Sequence, residues 1–259
     1  MLLCPVRGCH LPLKREEKRV ICARGHSFDV ARSGYVNLLQ PQDRRSDQPG
    51  DTADAVAGRR RLHDLGVTDP LLRGIGEFVR ASSKDAVLDA GCGDGFYLGT
   101  LAREIGFDAY GVDISTAAIE AAARRYPGCE WIVANADLLL PFADRSFSLV
   151  MSITGRMNAA EFRRVLGDSG RLLVAIPAPE DLIELRGAGR DRTARTVETF
   201  AHHFKLVDQR RVTTAVDLDA DAVRDVLHSI YRPLRAKPIE AMRVTFSLDL
   251  LLFNPRNRS

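Results

Sequence analysis

Val87-Leu88-Asp89-Ala90-Gly91-Cys92-Gly93-Asp94-Gly95-Phe96-Tyr97 joins a buried-strand pattern to a turn packed with glycine and flanked by acids. Three glycines at alternate positions let the backbone turn sharply and approach a ligand where side chains would stand in the way. Dinucleotide sites use a similar strand, turn and helix with G-x-G-x-x-G spacing, but here the third glycine comes one residue early. Asp89 stands just before the turn, where its charge would repel a pyrophosphate and attract an ammonium group. The residues therefore point to a ligand with a cationic amino-acid tail.

Two further segments extend that reading. Phe107-Asp108-Ala109-Tyr110-Gly111-Val112-Asp113 reads as a second strand ending in an acid, and Asp113 is placed to accept from both hydroxyls of a ribose. Asn135-Ala136-Asp137 follows an apolar run at 131–134 and offers Asp137 to an adenine amino group. Any one of these aspartates read singly is as well explained as a helix cap or loop residue. Together, at the ends of successive strand patterns, they point to S-adenosylmethionine as methyl donor, and residues 60–176 resemble class I methyltransferases.

Strand patterns near 85–90, 107–112, 130–134, 147–153, 170–176, 206–214 and 243–252 alternate with helical ones. This predicts an α/β, Rossmann-like doubly wound sheet ending in an antiparallel hairpin. Ser115 is read as the cap of a helix over 115–125, and a second helix over 158–166 is expected to end at an Asp168-Ser169-Gly170 turn.

At 259 residues and 45% hydrophobic content, the chain has room for one large domain and a small module. No stretch of about 18 apolar residues is present and Met1-Leu2-Leu3-Cys4-Pro5 lacks a signal-peptide pattern, so the expectation is a cytoplasmic protein with no membrane partner. The net charge of +3 is concentrated at the front, where residues 1–61 hold 12 Lys and Arg against 7 Asp and Glu. Such a balance is compatible with phosphate contacts and equally with a solvated surface.

Three of the five cysteines fall within the first 22 residues. Cys4, Cys9, Cys22 and His26 form C-x4-C-x12-C-x3-H, two pairs that can each fill half of a zinc tetrahedron. A hairpin this small has no adequate core, and a bound Zn2+ would supply its folding energy. Buried free thiols, or His10 in place of Cys9 or His26, are the alternatives. The polar run up to the Pro49-Gly50-Asp51 turn, with Arg44 and Arg45, reads as a connector, and Asp51-Thr52-Ala53-Asp54 offers caps for a helix running towards Leu65 and carrying Arg59-Arg60-Arg61. The expected division is 1–39 as zinc-binding RNA-recognition module, 40–60 as connector and start of the linking helix, and 61–259 as methyltransferase domain.

The Cys-Pro module, the phrase His26-Ser27-Phe28-Asp29-Val30-Ala31-Arg32-Ser33-Gly34-Tyr35-Val36-Asn37-Leu38-Leu39 and the Pro49-Gly50-Asp51 connector together resemble the RlmA group of 23S rRNA (guanine-N1)-methyltransferases. The resemblance runs through essentially the whole chain. It implies zinc on Cys4, Cys9, Cys22 and His26, the methyl donor on Gly91, Gly93 and Asp94 with Asp113 at the ribose, and two outlying donor positions at Thr68 and Asp181. An aromatic residue and a histidine are commoner at those last two. It further implies a 23S rRNA hairpin as partner and allows a homodimer.

After Val150-Met151-Ser152-Ile153 the chain departs from that pattern. Thr154-Gly155-Arg156-Met157-Asn158 stand where the group has an aromatic, a small residue and a proline lining the target-base pocket. Guanine N1 carries a proton, so transfer needs orientation, a dry pocket and a proton acceptor; Asp94, Asp137 and Glu180 are candidates, and sequence selects none of them. A small-molecule methyltransferase and a catalytically silent zinc-containing RNA-binding protein are the competing readings.

Overall fold

The computed structural model describes residues 1–43, 49–229 and 239–257; Arg44 and Arg45 of the connector lie outside them. Strands β1 (Leu13–Arg15), β2 (Arg19–Cys22) and β3 (Ser27–Asp29) form a small antiparallel sheet at the front. β4 (Val36–Asn37) leaves it to pair in parallel with β7 (Glu130–Val133), so the chain enters the main sheet at its edge. Helix α1 (Ala53–Asp64) starts where Thr52 accepts from the Ala55 amide, and Pro70 opens α2 (Asp69–Val79).

The main sheet then follows with β5 (Ala86–Ala90), α3 (Phe96–Ile105), β6 (Asp108–Asp113), α4 (Thr116–Arg125), β7, β8 (Phe147–Ile153), α5 (Ala159–Val165) and β9 (Leu166–Pro177). Helices α6 (Ile183–Arg186) and α7 (Thr193–Phe200) lead to β10 (Phe204–Leu218), and α8 (Ala220–Ser229) precedes β11 (Met242–Pro255). The strand order is β10-β11-β9-β8-β5-β6-β7-β4, with β11 antiparallel to both neighbours and the rest parallel. This is the doubly wound sheet expected, and β10 and β11 form the expected antiparallel pair, with α8 between them in the chain where a hairpin turn was expected.

The core explains the order. Val87, Leu88, Val112, Leu149, Val150 and Leu172 are fully covered, as central strands flanked by helices on both faces must be. Buried residues of the zinc module, including Cys4, Val20 and Cys22, belong to the same apolar cluster as Leu88, Ile132 and Phe142 of the main domain. The Leu3 amide donates to the Pro141 carbonyl at 2.8 Å, fastening the module to the sheet edge.

One expected turn is absent. Asp168, Ser169 and Gly170 lie within β9, whose first residue pairs with Phe147 while Arg171 pairs with Leu149. The extra residues of β9 are absorbed in that register shift, so the strand continues where a turn was read.

Candidate functional site

A cavity of about 1260 Å3 opens outside the carboxyl ends of β5, β6, β8 and β9, where ligands bind in open α/β sheets. Its floor is the glycine turn. Gly91, Gly93 and Gly95 have φ of 89°, 55° and 74°, a conformation that L side chains resist. Their clearances serve different neighbours. A Cβ on Gly91 would stand 3.2 Å from Gly155 Cα, whereas one on Gly95 would meet the Trp131 ring at 2.4 Å. Gly91 and Gly93 line the cavity; Gly95 makes room for the core.

Asp89 is 2% exposed, and its Oδ1 has no hydrogen-bond partner among the described residues. Burial, with Asp113 adding to it, pushes its carboxyl up to about 8. A buried polar atom left unpaired costs about 1–3 kcal/mol, so a cation against Asp89 relieves a real penalty. Asp113 is oriented by its neighbours: the Gly93 amide donates to Oδ2 at 3.0 Å and the Ser115 amide to Oδ1 at 2.8 Å. Ser115 caps α4 as expected, accepting from the Ala118 amide at 3.2 Å. Burial raises the Asp113 carboxyl as well, against the two amides.

The opposite wall comes from α1. Arg59 and His63, four residues apart, share the face that looks into the cavity, and both line it. Arg59 bonds the Asp51 carboxylate at 2.7 Å; burial works against its charge, and Asp51, Asp94 and Asp113 outweigh it. His63 stacks flat on Phe96 with ring centroids 3.8 Å apart, and its Nδ1 lies 2.6 Å from Thr68 Oγ1. Burial first, then Arg59 and Arg125, lower its pKa to about 3, so the ring is neutral and its 3.8 Å approach to Asp94 is no ion pair. Asp94 lines the cavity with Tyr97 beside it. Neither His63 nor Tyr97 stands out in the sequence; the signal for His63 is its i+4 spacing from Arg59.

The structure separates the remaining residues. Thr68 is buried behind His63 and is not part of the cavity wall. Asp181 also stands back from it: its Oδ1 accepts from the Ser247 amide at 2.9 Å and its Oδ2 pairs with Arg186, which does line the cavity. Glu180 is bonded to Ser247, Thr213 and Arg211, away from the cavity. Asp137 pairs with Arg156 at 3.3 Å, and of the two only Arg156 reaches the cavity lining.

Arg156 is delivered by the segment that departs from the family pattern. Thr154 has φ of 51°, and a Cβ on Gly155 would meet the Ala90 carbonyl at 2.7 Å. Ser152 Oγ donates to the Arg156 carbonyl at 2.6 Å and fixes the return. Glycine at 155 is therefore required where the chain crosses the glycine turn.

At the front, the ligand atoms of Cys4, Cys9, Cys22 and His26 all lie within 4.8 Å of one another. The Cys9 and Cys22 sulfurs are 3.8 Å apart, and His26 Nδ1 is 3.4 Å from Cys4 Sγ and 3.5 Å from Cys22 Sγ. A zinc–sulfur bond of about 2.3 Å gives a tetrahedral edge of roughly 3.8 Å, close to these three separations, so the donor set suits one ion. Gly8 and Gly25, with φ of 72° and 83°, turn the two ligand loops, and Arg24 Nη1 ties them by donating to the Gly8 carbonyl at 2.8 Å. His10 is exposed and outside the cluster.

Comparison with known proteins agrees for the front module and for the central sheet. The family described as "RlmA, N-terminal" matches residues 2–47, and the family "Methyltransferase domain" matches residues 87–174. A Streptomyces fradiae protein named 23S rRNA (guanine(748)-N(1))-methyltransferase is 37% identical over 238 residues, covering 87% of this chain and 83% of that one. Among solved structures, a TehB-like SAM-dependent methyltransferase of Corynebacterium glutamicum aligns with a TM-score of 0.51 at 20% identity, covering 79% of this chain and 99% of that one. A chain from the complex containing the Haloferax volcanii Trm112 methyltransferase activator aligns with a TM-score of 0.56 at 20% identity, covering 80% and 99%. These two likenesses bear on the fold alone. Among the described residues no helix is long and apolar enough to cross a membrane.

Proposed function

Because the chain belongs to the RlmA group of 23S rRNA (guanine-N1)-methyltransferases, we propose that its cavity holds S-adenosylmethionine and presents the donor to a guanine N1 in a hairpin loop of 23S rRNA. The observation that carries this reading is the buried Asp89 carboxyl on the cavity floor, whose Oδ1 has no partner among the described residues and suits a cationic ligand once ionised. The donor supplies an electrophilic methyl on a sulfonium; the protein supplies position, exclusion of water and charge.

In this assignment Asp89 takes the ammonium group, the Gly91–Asp94 turn lies against the donor, and Asp113 takes the ribose hydroxyls. Asp113 is held for that task by the Gly93 and Ser115 amides. Asp137, set just behind the lining, is assigned to the adenine end of the donor through Arg156, which its carboxylate holds at the wall. Thr68 and Asp181 act one step removed, Thr68 by orienting His63 and Asp181 by holding Arg186 at the wall. Cys4, Cys9, Cys22 and His26 hold the zinc that folds the front module.

The reading also assigns residues 1–39 to RNA recognition, 40–60 to the connector and the start of α1, and 61–259 to methyl transfer, in a protein that works in the cytoplasm with or without a second copy. A target inside a duplex is out of reach, so a loop or flipped base is the substrate. Mass mapping of 23S rRNA from cells with and without this protein tests the proposal. One guanine is expected to lose a methyl group at N1 when the protein is removed. Unchanged rRNA, with transfer by the purified protein to a small molecule instead, overturns it.

A further inference from the structure

The cavity has one wall whose charge the donor does not use. Six arginines line it: Arg59, Arg156, Arg186, Arg190, Arg192 and Arg195. The first three are neutralised by Asp51, Asp137 and Asp181. Among the described residues no carboxylate pairs with Arg190, Arg192 or Arg195, and all three are exposed. They come from one short stretch between α6 and the second turn of α7.

That stretch is tied down on its N-terminal side. The Gly189 amide donates to the Pro179 carbonyl at 2.6 Å, and Arg186 is bonded to Asp181. Asp191, the acid within the stretch, turns its Oδ1 back to accept from the Thr193 amide at 2.8 Å. One of its two carboxylate oxygens is thereby taken up by the loop's own backbone, and since Asp191 also lines the cavity the stretch presents three arginines against one acid. S-adenosylmethionine carries a single carboxylate, which one cation satisfies. Three unpaired guanidinium groups at the mouth suit a ligand bearing several anions in a row, and arginine forks match phosphate oxygens in particular.

The zinc module offers less free charge than its sequence suggests. Of its Lys14, Arg15, Lys18 and Arg19, Arg15 is paired with Glu130 and Arg19 with Glu16. We infer that Arg190, Arg192 and Arg195 form a phosphate-gripping rim that holds the RNA backbone beside the target guanine, on the opposite side of the substrate from the zinc module. The inference rests on the reading of an RNA substrate given above.

The test uses the full zinc-loaded chain and a transcript of the 23S rRNA hairpin, with an unrelated hairpin of equal length as second probe. Arg190→Gln, Arg192→Gln and Arg195→Gln combined are expected to weaken binding of both hairpins at least tenfold. The slope of log affinity against log salt should shrink by about 2–3, as loss of three phosphate contacts requires. The three Lys substitutions should keep most of that slope, and both variants should melt at the wild-type temperature, which reports that they are folded. Unaltered RNA affinity and slope in the Gln variant overturn the rim. If the Gln variant shows the expected slope change while the wild-type protein leaves guanine N1 unmethylated, the rim stands and the reading of the reaction falls.

Discussion

The Gly93 amide donates to Asp113 Oδ2 at 3.0 Å, which ties the glycine turn after β5 to the acid that ends β6. The other carboxylate oxygen accepts from Ser115 at the start of α4. One side chain thus sets the shape of the turn, the direction of a helix and the placement of two acceptor oxygens at the cavity.

Replacing Asp113 with Ala should therefore weaken donor binding by ten- to a hundredfold, about 1.5–3 kcal/mol for lost charge-assisted hydrogen bonds. Asp113→Asn keeps one acceptor for the amides and should lose less. Calorimetric titration with S-adenosylmethionine checks both, and an Ala variant with wild-type affinity removes Asp113 from the ribose.

Asp89 makes donor binding depend on pH. Its carboxyl rises from the ordinary 3.8 to about 8, so the donor-free protein keeps a proton that the unfolded chain has released. The stability this group contributes is full below 3.8 and is lost as pH rises through about 8. Pairing with an ammonium group needs the ionised form, so binding at pH 7 should expel close to one proton. Affinity should rise with pH up to about 8, by at most about tenfold per unit. Titrations in buffers of different ionisation heat measure the proton directly. Identical heats in all buffers would show that Asp89 does not receive the cation, and Asp89→Asn should abolish the difference.

Most of the sheet and half of the site were legible because they depend on local pattern. The strand-turn-helix at 87–97, the acid ending β6 and the Ser115 cap are contiguous signals, and the structure has each in place. Arg59 and His63 were not legible as site residues, since what brings them to the cavity is the packing of α1 beside the turn, with His63 laid flat on Phe96. The alternate spacing of Gly95 suggests clearance for a ligand, but the space it leaves is taken by Trp131, a contact between distant segments that no local pattern encodes.

Trp131, the single tryptophan of the chain, is locked between glycines. A Cβ on Gly111 would stand 2.2 Å from its ring and one on Gly95 2.4 Å, while its indole N–H donates to the Tyr126 carbonyl at 2.9 Å. Gly111→Ala should destabilise the protein by about 1–3 kcal/mol through overpacking. Trp131→Phe frees that space, so the double variant should be less destabilised than the sum of the two single ones. Urea unfolding followed by circular dichroism gives the cycle, and strict additivity would mean that the ring and the glycine do not compete for the same volume.

Zinc should matter for substrate and much less for donor. Cys22 touches both Cys9 and His26 in the ligand cluster, so Cys22→Ser removes one ligand of four and leaves a small sheet with little core of its own. The module is nevertheless joined to the main domain through β4 against β7 and through shared apolar packing, so its loss should lower the melting temperature measurably. The donor cavity is built from β5, β6, α1 and the end of β8, none of which belongs to the module. Donor affinity in the variant is therefore expected within about threefold of wild type, which is under about 1 kcal/mol, while methylation of the 23S hairpin falls by tenfold or more. Parallel measurement of donor binding and RNA methylation decides it, because equal loss of both would mean that folding of the module and of the donor site is one event.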